Sequence, residues 1–175
     1  MATLSKPLLD KFLKKSAIVA TLATIDSNQM PYLVPVWYEW DGQCIWVISK
    51  PLAEYVKNLQ RNPYTAISIA TQTLPYVRVF AQGRGELIDT DKDWLPMGRR
   101  MAKRYLGEKE GYAYIDKTKD WKRVYIKLKP TRLLSWDGGQ SGHAWGKRYI
   151  QTESSASSGR QRRARSVRQV RAGAR

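Results

Sequence analysis

Residues 28–49 read NQMPYLVPVWYEWDGQCIWVIS, and this stretch decides the fold class. Two runs rich in β-branched and aromatic residues lie on either side of Asp41-Gly42, a dipeptide typical of tight hairpin turns. The run SAIVATLATID before them, residues 16–26, has the same composition and almost no charge. Together these runs predict three consecutive antiparallel strands.

The flanking segments extend a mainly β pattern with few helices. Leu8, Leu9, Phe12 and Leu13 have helical spacing and predict a short N-terminal helix. The remaining segments are a short helix within SKPLAEYVKNLQRNP (49–63), strands in YTAISIAT (64–71) and YVRVFAQGRGELID (76–89), a helix in TDKDWLPMGRRMAKRYLG (90–107) and a last strand in WKRVYIKLKPTRLLSWDGG (121–139). Because strands dominate and turns come at short spacing, we expect a closed antiparallel barrel with peripheral helices rather than a doubly wound sheet.

Positive charge is concentrated at the C-terminal end of the chain. The formal net charge is +16, but residues 160–175 hold seven arginines and no acid, so removing them leaves +9 for residues 1–159. Residues 140–175 also lose hydrophobic periodicity, which predicts one domain over residues 1–139 and a disordered basic tail. An arginine run can neutralise the phosphates of a nucleic acid. We favour the simpler interpretation, a solvated extension without a partner.

The sequence points to a reducing compartment. Cys44 is the single cysteine, so the chain has no intramolecular disulfide, and its place in a strand-like run predicts packing in the core. The N-terminal apolar stretch is interrupted at Asp26 and is too short to span a membrane, and no signal-peptide pattern is evident. We therefore expect a cytoplasmic protein with no membrane partner.

Few residues in this chain could carry out catalysis by themselves. His143 is the only histidine, which argues against a histidine triad or a multi-histidine metal site, and no CxxC or GxGxxG motif occurs. GRGELID, residues 83–89, leads into more strand, so its glycines predict a bulge or a close backbone approach. We assign no metal site and no catalytic residue. If the protein is an enzyme, a bound cofactor supplies the chemistry.

A phosphate could be held by the segment that follows the third strand. Ser49 and Lys50 end that strand, and Lys57 and Arg61 lie four residues apart on one helical face. Charge-assisted hydrogen bonds from such groups suit an anion. On composition alone, an ordinary solvated helix is the favoured interpretation of these cations.

The order of four segments changes that interpretation. They are residues 20–49, LAEYVKNLQRNP (52–63), VFAQGRGELID (79–89) and RVYIKLKPTRLLSWD (123–137). In this order the chain resembles the pyridoxamine 5′-phosphate oxidase-like superfamily of FMN-binding split β-barrels. Within it, the sequence is most similar to the flavin/deazaflavin oxidoreductases that include F420-dependent reductases. The resemblance covers residues 6 to about 138.

The resemblance implies a six-stranded split barrel that forms a homodimer, with two cofactor sites at the dimer interface. It implies that the strand VPVW lies beside the cofactor ring, that the strand end and helix bind the phosphate, and that the later hairpin lies close by. The residues so implied are Val34, Pro35, Val36 and Trp37 at the ring, Ser49, Lys50, Lys57 and Asn58 at the phosphate, and Gln82 and Gly83 on the hairpin. Where relatives often carry basic residues this chain has Ala53-Glu54 and Pro63-Tyr64, which leaves Lys57 as the best phosphate ligand.

The implied activity is hydride transfer between a bound cofactor and a small organic substrate. We favour coenzyme F420 over FMN on the subfamily resemblance, and a body of charge +9 suits its polyglutamate tail. Oxidation of vitamin B6 is disfavoured because no Arg-x-His motif follows the last strand. Two alternatives stay open: a non-catalytic flavin- or haem-binding protein, and a nucleic-acid-associated protein that acts through the arginine-rich tail.

Overall fold

The computed structural model describes residues 4–15, 17–74, 76–90 and 93–138. In chain order the elements are α1 (Lys6–Lys15), β1 (Ala20–Ile25), β2 (Pro31–Val36), β3 (Glu39–Trp40), β4 (Ile45–Ser49), α2 (Glu54–Arg61), β5 (Tyr64–Ala70), β6 (Val77–Asp89), α3 (Leu95–Leu106), α4 (Glu108–Thr118) and β7 (Val124–Asp137). The predicted tail, residues 140–175, lies outside the described residues, and so does the predicted domain boundary at residue 139.

The strands form one antiparallel sheet in the order β2-β1-β5-β6-β7-β4-β3. β2 and β3 are the two edges of this sheet, yet only Trp37 and Tyr38 separate them in the chain. An extended chain advances no more than ~3.6 Å per residue, so the facing ends of the two edges lie within about 11 Å of each other. The sheet therefore curls into a barrel that stays unpaired between β2 and β3. The predicted split β-barrel is confirmed.

The sheet has seven strands rather than the predicted six, because the run before the hairpin turn is broken. The Trp37 ring stacks on Tyr105, with ring centroids 5.0 Å apart. The next amide, Tyr38 N–H, donates to the Tyr105 hydroxyl at 3.3 Å. These contacts turn the chain between β2 and β3. β4 consequently pairs with β3 and β7 instead of β2, so the three predicted strands do not form one continuous meander.

Successive side chains of a strand point to opposite faces of the sheet, so one face of each strand packs in the barrel core. The residues buried there are mainly aliphatic and include Leu22, Val36, Val47, Ile67, Val79 and Ile126. The predicted N-terminal helix α1 adds Leu9 and Leu13, both fully buried. Cys44 is buried, in agreement with its predicted packing role, and burial raises the pKa of its thiol.

Helices α3 and α4 form a second layer over part of the sheet. α3 was predicted from its sequence, and Gly107, with φ at 86°, separates it from α4. α4 has only Gly111, Ile115 and Thr118 buried, so its apolar pattern is weak and this helix was not predicted. Trp94, Ala102 and Ile115 form the small core between the two helices and the barrel.

The predicted Asp41-Gly42 turn is present and is held by the Asp41 carboxylate. Oδ1 accepts from the N–H groups of Gln43 and Cys44 at 2.8 and 2.6 Å. Oδ2 accepts from Trp46 Nε1 at 2.7 Å. Burial acts to raise the pKa of Asp41, but these hydrogen bonds outweigh it and leave the pKa below its usual value.

We expect this carboxylate to make the hairpin sensitive to acid. A lowered folded-state pKa gives stability that is complete above the unfolded-state pKa of about 3.9 and is lost as the pH falls through the folded-state value. Asp41→Asn should be less stable than the wild type by about 1 kcal/mol at pH 7, allowing for solvent screening. Thermal unfolding of the wild type and the variant between pH 7 and pH 2 measures the difference in their stability. A difference that persists unchanged at pH 2 would contradict the assignment.

Candidate cofactor site

An open cleft of about 470 Å³ crosses β1, β5 and β6. This volume is within the range of small-molecule sites, about 300–1,000 Å³. The lining combines small or apolar side chains, polar side chains and one cation, contributed by Ala23, Thr24, Ile25, Pro31, Tyr64, Thr65, Ala66, Gln82, Gly83, Arg84 and Thr131. The cleft can therefore take a largely apolar ligand that carries some polar or anionic groups.

A bulge shapes the wall of the cleft on β6. The pairing of β6 with β7 shifts between Gln82 and Gly83, which leaves Thr131 as the extra residue on β7. A Cβ at Gly83 would lie 2.8 Å from the carbonyl oxygen of Lys129, so only glycine fits there. Thr131 Oγ1 donates to the carbonyl oxygen of Gln82 at 3.2 Å. The prediction that these glycines mark a bulge or close approach is confirmed at Gly83.

Helix α2 is tied to the cleft by the fully buried side chain of Asn58. Asn58 Nδ2 donates to Thr24 Oγ1 at 3.0 Å, and Thr24 lines the cleft. Asn58 Oδ1 accepts from Arg61 Nη2 at 2.5 Å. A hydrogen-bonded chain thus runs from the Arg61 guanidinium to the cleft wall. Asn58 is a positioning residue in this arrangement.

The cations of α2 share one carboxylate. Lys57 Nζ and Arg61 Nη2 each lie 3.5 Å from a carboxylate oxygen of Glu54, and all three side chains are about half exposed. Glu54 stands where proteins of the resembling family often carry a basic residue. Exposed ion pairs of this kind contribute little free energy, so an arriving anion can compete with Glu54 for both cations.

Two of the predicted phosphate ligands lie elsewhere. Ser49 is buried, and its hydroxyl is hydrogen-bonded to the Tyr55 hydroxyl at 2.8 Å. Lys50 is exposed, with Nζ 4.6 Å from the centre of the Trp121 ring. Neither residue is among those that line the cleft, and Lys57 is not among them either. The structure therefore groups Asn58 with the cleft and leaves Ser49 and Lys50 apart from it.

The predicted ring contacts do not share one surface. Val34 and Val36 pair with Leu22 and Ala20 of β1 and lie on the core side of β2, whereas Pro35 is exposed on the opposite side. Trp37 packs against Tyr105 and the edge of Tyr114. Gln82 and Gly83 do line the cleft. Cofactor contacts by all of these residues stay predictions.

Several residues of the cleft were not identified from the sequence. Thr24, Thr65 and Thr131 occur in strands, where threonine is common for structural reasons. Arg84 lies between two glycines, and its guanidinium carbon is 5.4 Å from the centre of the Tyr64 ring. Only Arg84, a cation flanked by glycines on a strand, carried a local signal that could have been noticed.

The sequence of residues 6–137 matches the family described as pyridoxamine 5′-phosphate oxidase. The chain belongs to this family. The match runs from α1 to the end of β7, so it includes α2 and every strand of the cleft. The recognition made from the order of the segments is confirmed. None of the curated proteins matches the sequence.

Solved structures of the pyridoxamine 5′-phosphate oxidase type share the fold. A conserved hypothetical protein from Mycobacterium tuberculosis is 26% identical, with a TM-score of 0.66 over 82% of this chain and 93% of its own. A structure titled F420 reductase is 20% identical, with a TM-score of 0.56 over 70% and 94%. An FAD-binding protein from Mesorhizobium loti is 19% identical, with a TM-score of 0.54 over 77% and 93%. For the F420 reductase and the FAD-binding protein, which are 20% and 19% identical to this chain, the likeness shows the fold alone.

Proposed function

We propose that this protein is an oxidoreductase that binds a flavin or deazaflavin at the cleft over β1, β5 and β6. The observation that carries the proposal is the cleft itself, whose lining combines apolar side chains, polar side chains and the cation Arg84, in a member of this family. The names of two neighbours, an F420 reductase and an FAD-binding protein, support the same class of cofactor. A bound cofactor of this class supplies hydride transfer to or from a small organic substrate.

The residues present fit such a group. Ala23, Ile25 and Ala66 offer a flat apolar surface suited to a planar ring system. Arg84 lies at the cleft, and Arg61 is joined to it through Asn58 and Thr24. No acidic residue is among those that line the cleft in the described part of the chain. An anionic substituent on the ring therefore meets cations without repulsion from the lining.

The side chains at the cleft bind and orient rather than transfer protons. Thr24, Gln82 and Thr131 offer hydroxyl and amide groups that hydrogen-bond a ligand. Within residues 4–138, as far as they are described, no Asp, Glu, His or Cys lines this cleft. We consequently assign no catalytic acid or base, and the apolar floor serves to keep water from the reacting face.

Between the two cofactors we favour F420. Its polyglutamate tail carries several carboxylates beyond the phosphate, and Lys57 and Arg61 extend the basic surface along α2. Binding that uses more exposed charges weakens more steeply with salt. F420 affinity should therefore fall more between low and high ionic strength than FMN affinity.

We infer that two copies of the chain pair beside this cleft. Leu33 is 63% exposed and lies opposite Ala23, a residue of the cleft floor, in the β1–β2 ladder. Tyr64, also a lining residue, is 62% exposed. A second copy would cover these apolar groups and close the open side of the cleft. A homodimer with the cofactor at its interface is therefore part of the proposal.

The alternatives differ in what they need from the chain. A non-catalytic flavin-binding protein would use the same cleft and differs only in showing no turnover. No histidine is present among the described residues as a candidate haem ligand, and His143, the only histidine of the sequence, lies outside them. The proposed nucleic-acid interaction rests on residues 160–175, which are outside the described residues too.

No described helix is long and apolar enough to cross a membrane. A cytoplasmic location stays a prediction.

Cofactor titration tests the proposal. Purified protein is mixed with FMN or with F420 and passed through gel filtration with light scattering. The absorption of the cofactor, at about 450 nm for FMN or about 420 nm for F420, shows whether it elutes with the protein. We expect F420 to co-elute at the mass of a dimer. Arg61→Ala and Lys57→Ala should each weaken binding by roughly 10- to 100-fold, since each removes a hydrogen bond to a charged group.

Lys109→Ala is the matched control, because Lys109 is an exposed cation on α4 and its loss changes the net charge equally. Its affinity should equal that of the wild type. An equal loss of cofactor affinity in all three variants would show that overall charge, and not a contact by Lys57 or Arg61, causes the loss. Retention of neither cofactor by the wild type would overturn the proposed function.

A further inference from the structure

A second, smaller cavity lies between the barrel and the α3–α4 layer. Its volume is about 50 Å³, and its walls include the aromatic side chains of Trp37, Trp94 and Tyr114 together with Ile115 and Arg123. It has no lining residue in common with the cofactor cleft. A water molecule occupies about 10–15 Å³ by this kind of measure, so the cavity has room for a group of a few heavy atoms.

Two buried hydrogen-bond donors at this cavity have no acceptor. Trp94 is 2% exposed and Arg123 is 6% exposed. Trp94 Nε1 and Arg123 Nε are both inaccessible to solvent, and neither has a hydrogen-bond partner among the described residues. Folded proteins rarely leave such groups unpaired, because a buried donor without an acceptor loses its hydrogen bonds to water. Both N–H groups belong to residues that line the cavity, and both are left without an acceptor in the described part of the chain.

The cavity also has uncompensated positive charge. No carboxylate oxygen in the described part of the chain lies within 4.0 Å of the Arg123 guanidinium. Its carbon Cζ instead lies 5.0 Å from the Trp94 ring centre and 5.2 Å from that of Trp121. Lys50 Nζ contacts the same Trp121 ring. Cation–π contacts offset part of the desolvation of a buried cation, but they do not neutralise it.

We propose that this cavity binds the carboxylate of a small organic acid. A carboxylate has no N–H or O–H of its own at neutral pH and has two oxygens that accept, which suits two unpaired N–H donors, one of which belongs to the Arg123 cation. The aromatic side chains accommodate the apolar remainder of the acid. Tyr114, which lines the cavity, is 38% exposed and marks the side from which a ligand would enter. The site is independent of the proposed cofactor cleft.

Acetate is the probe, and the Trp94 indole N–H is the reporter. The chain has seven tryptophans, so a nitrogen-15 correlation spectrum shows seven indole signals, and Trp94→Phe identifies one of them. Titration with sodium acetate against sodium chloride at constant ionic strength should move the Trp94 signal downfield and saturate. Arg123→Gln should weaken acetate binding by roughly tenfold or more. Neutral acetamide should leave the signal in place.

Thermal stability gives a second readout that does not need the reporter. Acetate should raise the wild-type Tm above that in sodium chloride, because a ligand that binds only the folded state stabilises it. Trp94→Phe keeps an aromatic side chain but removes the N–H donor together with the five-membered ring, and it should reduce this gain. Lys122→Gln, an exposed neighbour with the same loss of charge, should keep it.

Two results would overturn the proposal. The first is the absence of a saturable acetate effect in the wild type. The second is an equal response to sulfate and chloride, which would indicate general anion screening.

Discussion

Replacing Asn58 by Ala should lower the free energy of unfolding by about 2–3 kcal/mol. The substitution removes two hydrogen bonds made by a fully buried side chain, one to Thr24 and one to Arg61. Urea denaturation of the wild type and the variant measures the difference. Cofactor affinity should fall as well, because the Arg61 guanidinium loses the contact that holds it toward the cleft.

Two variants show whether the network is responsible. Gln60→Ala removes an amide from an exposed position of the same helix, and it should change stability by no more than about 0.5 kcal/mol. Thr24→Val, alone and combined with Asn58→Ala, completes a double-mutant cycle. A coupling energy of at least about 0.5 kcal/mol is expected for a direct hydrogen bond. Strict additivity of the two substitutions would contradict the role given to Asn58.

Gly111→Ala should destabilise the protein by about 1–3 kcal/mol, although helix propensity alone predicts the opposite. Alanine is favoured over glycine inside a helix by about 1 kcal/mol. However, a Cβ at Gly111 would lie 2.7–2.8 Å from backbone atoms of Ala102 and Lys103, which belong to the neighbouring helix. Backbone cannot rotate away as a side chain can, so α3 and α4 must separate. Thermal unfolding measures the change.

Ala113→Gly is the control for this prediction. Ala113 is exposed on the same helix, so its replacement reports the propensity term without the contact to α3. It should cost about 1 kcal/mol. If Gly111→Ala proved more stable than the wild type by a similar amount, the inference that α3 and α4 pack too closely for a Cβ at this position would be wrong.

Local sequence was sufficient where the determinants of structure are neighbours in the chain. Asp41 accepts hydrogen bonds from residues two and three positions later, so its turn could be predicted from the dipeptide. The strand runs were predicted because alternation of buried and exposed side chains follows from strand geometry. Gly83 was predicted at a bulge or close approach for a similar reason, since an isolated glycine in a strand has few other uses.

The candidate site could be predicted only in part, because its contacts join distant segments. Gln82 and Gly83 were expected near the cofactor and line the cleft. Thr24 contacts Asn58 from 34 residues away, and nothing in its own segment marks it. The resemblance implied that Val34, Pro35, Val36 and Trp37 lie together at the cofactor ring. Alternation along β2 and the break after it send these side chains in different directions.

The sequence by itself determined the mainly β class, the hairpin at Asp41-Gly42 and, through the order of its segments, the family. These features depend on periodicity and turn chemistry, which act over a few residues. Only the tertiary structure decided which strands meet, where the chain breaks between β2 and β3, and which side chains share a surface. Those outcomes depend on packing between residues far apart in sequence: Tyr105 contacts the chain 67 residues before it at Tyr38, and no local pattern encodes that contact.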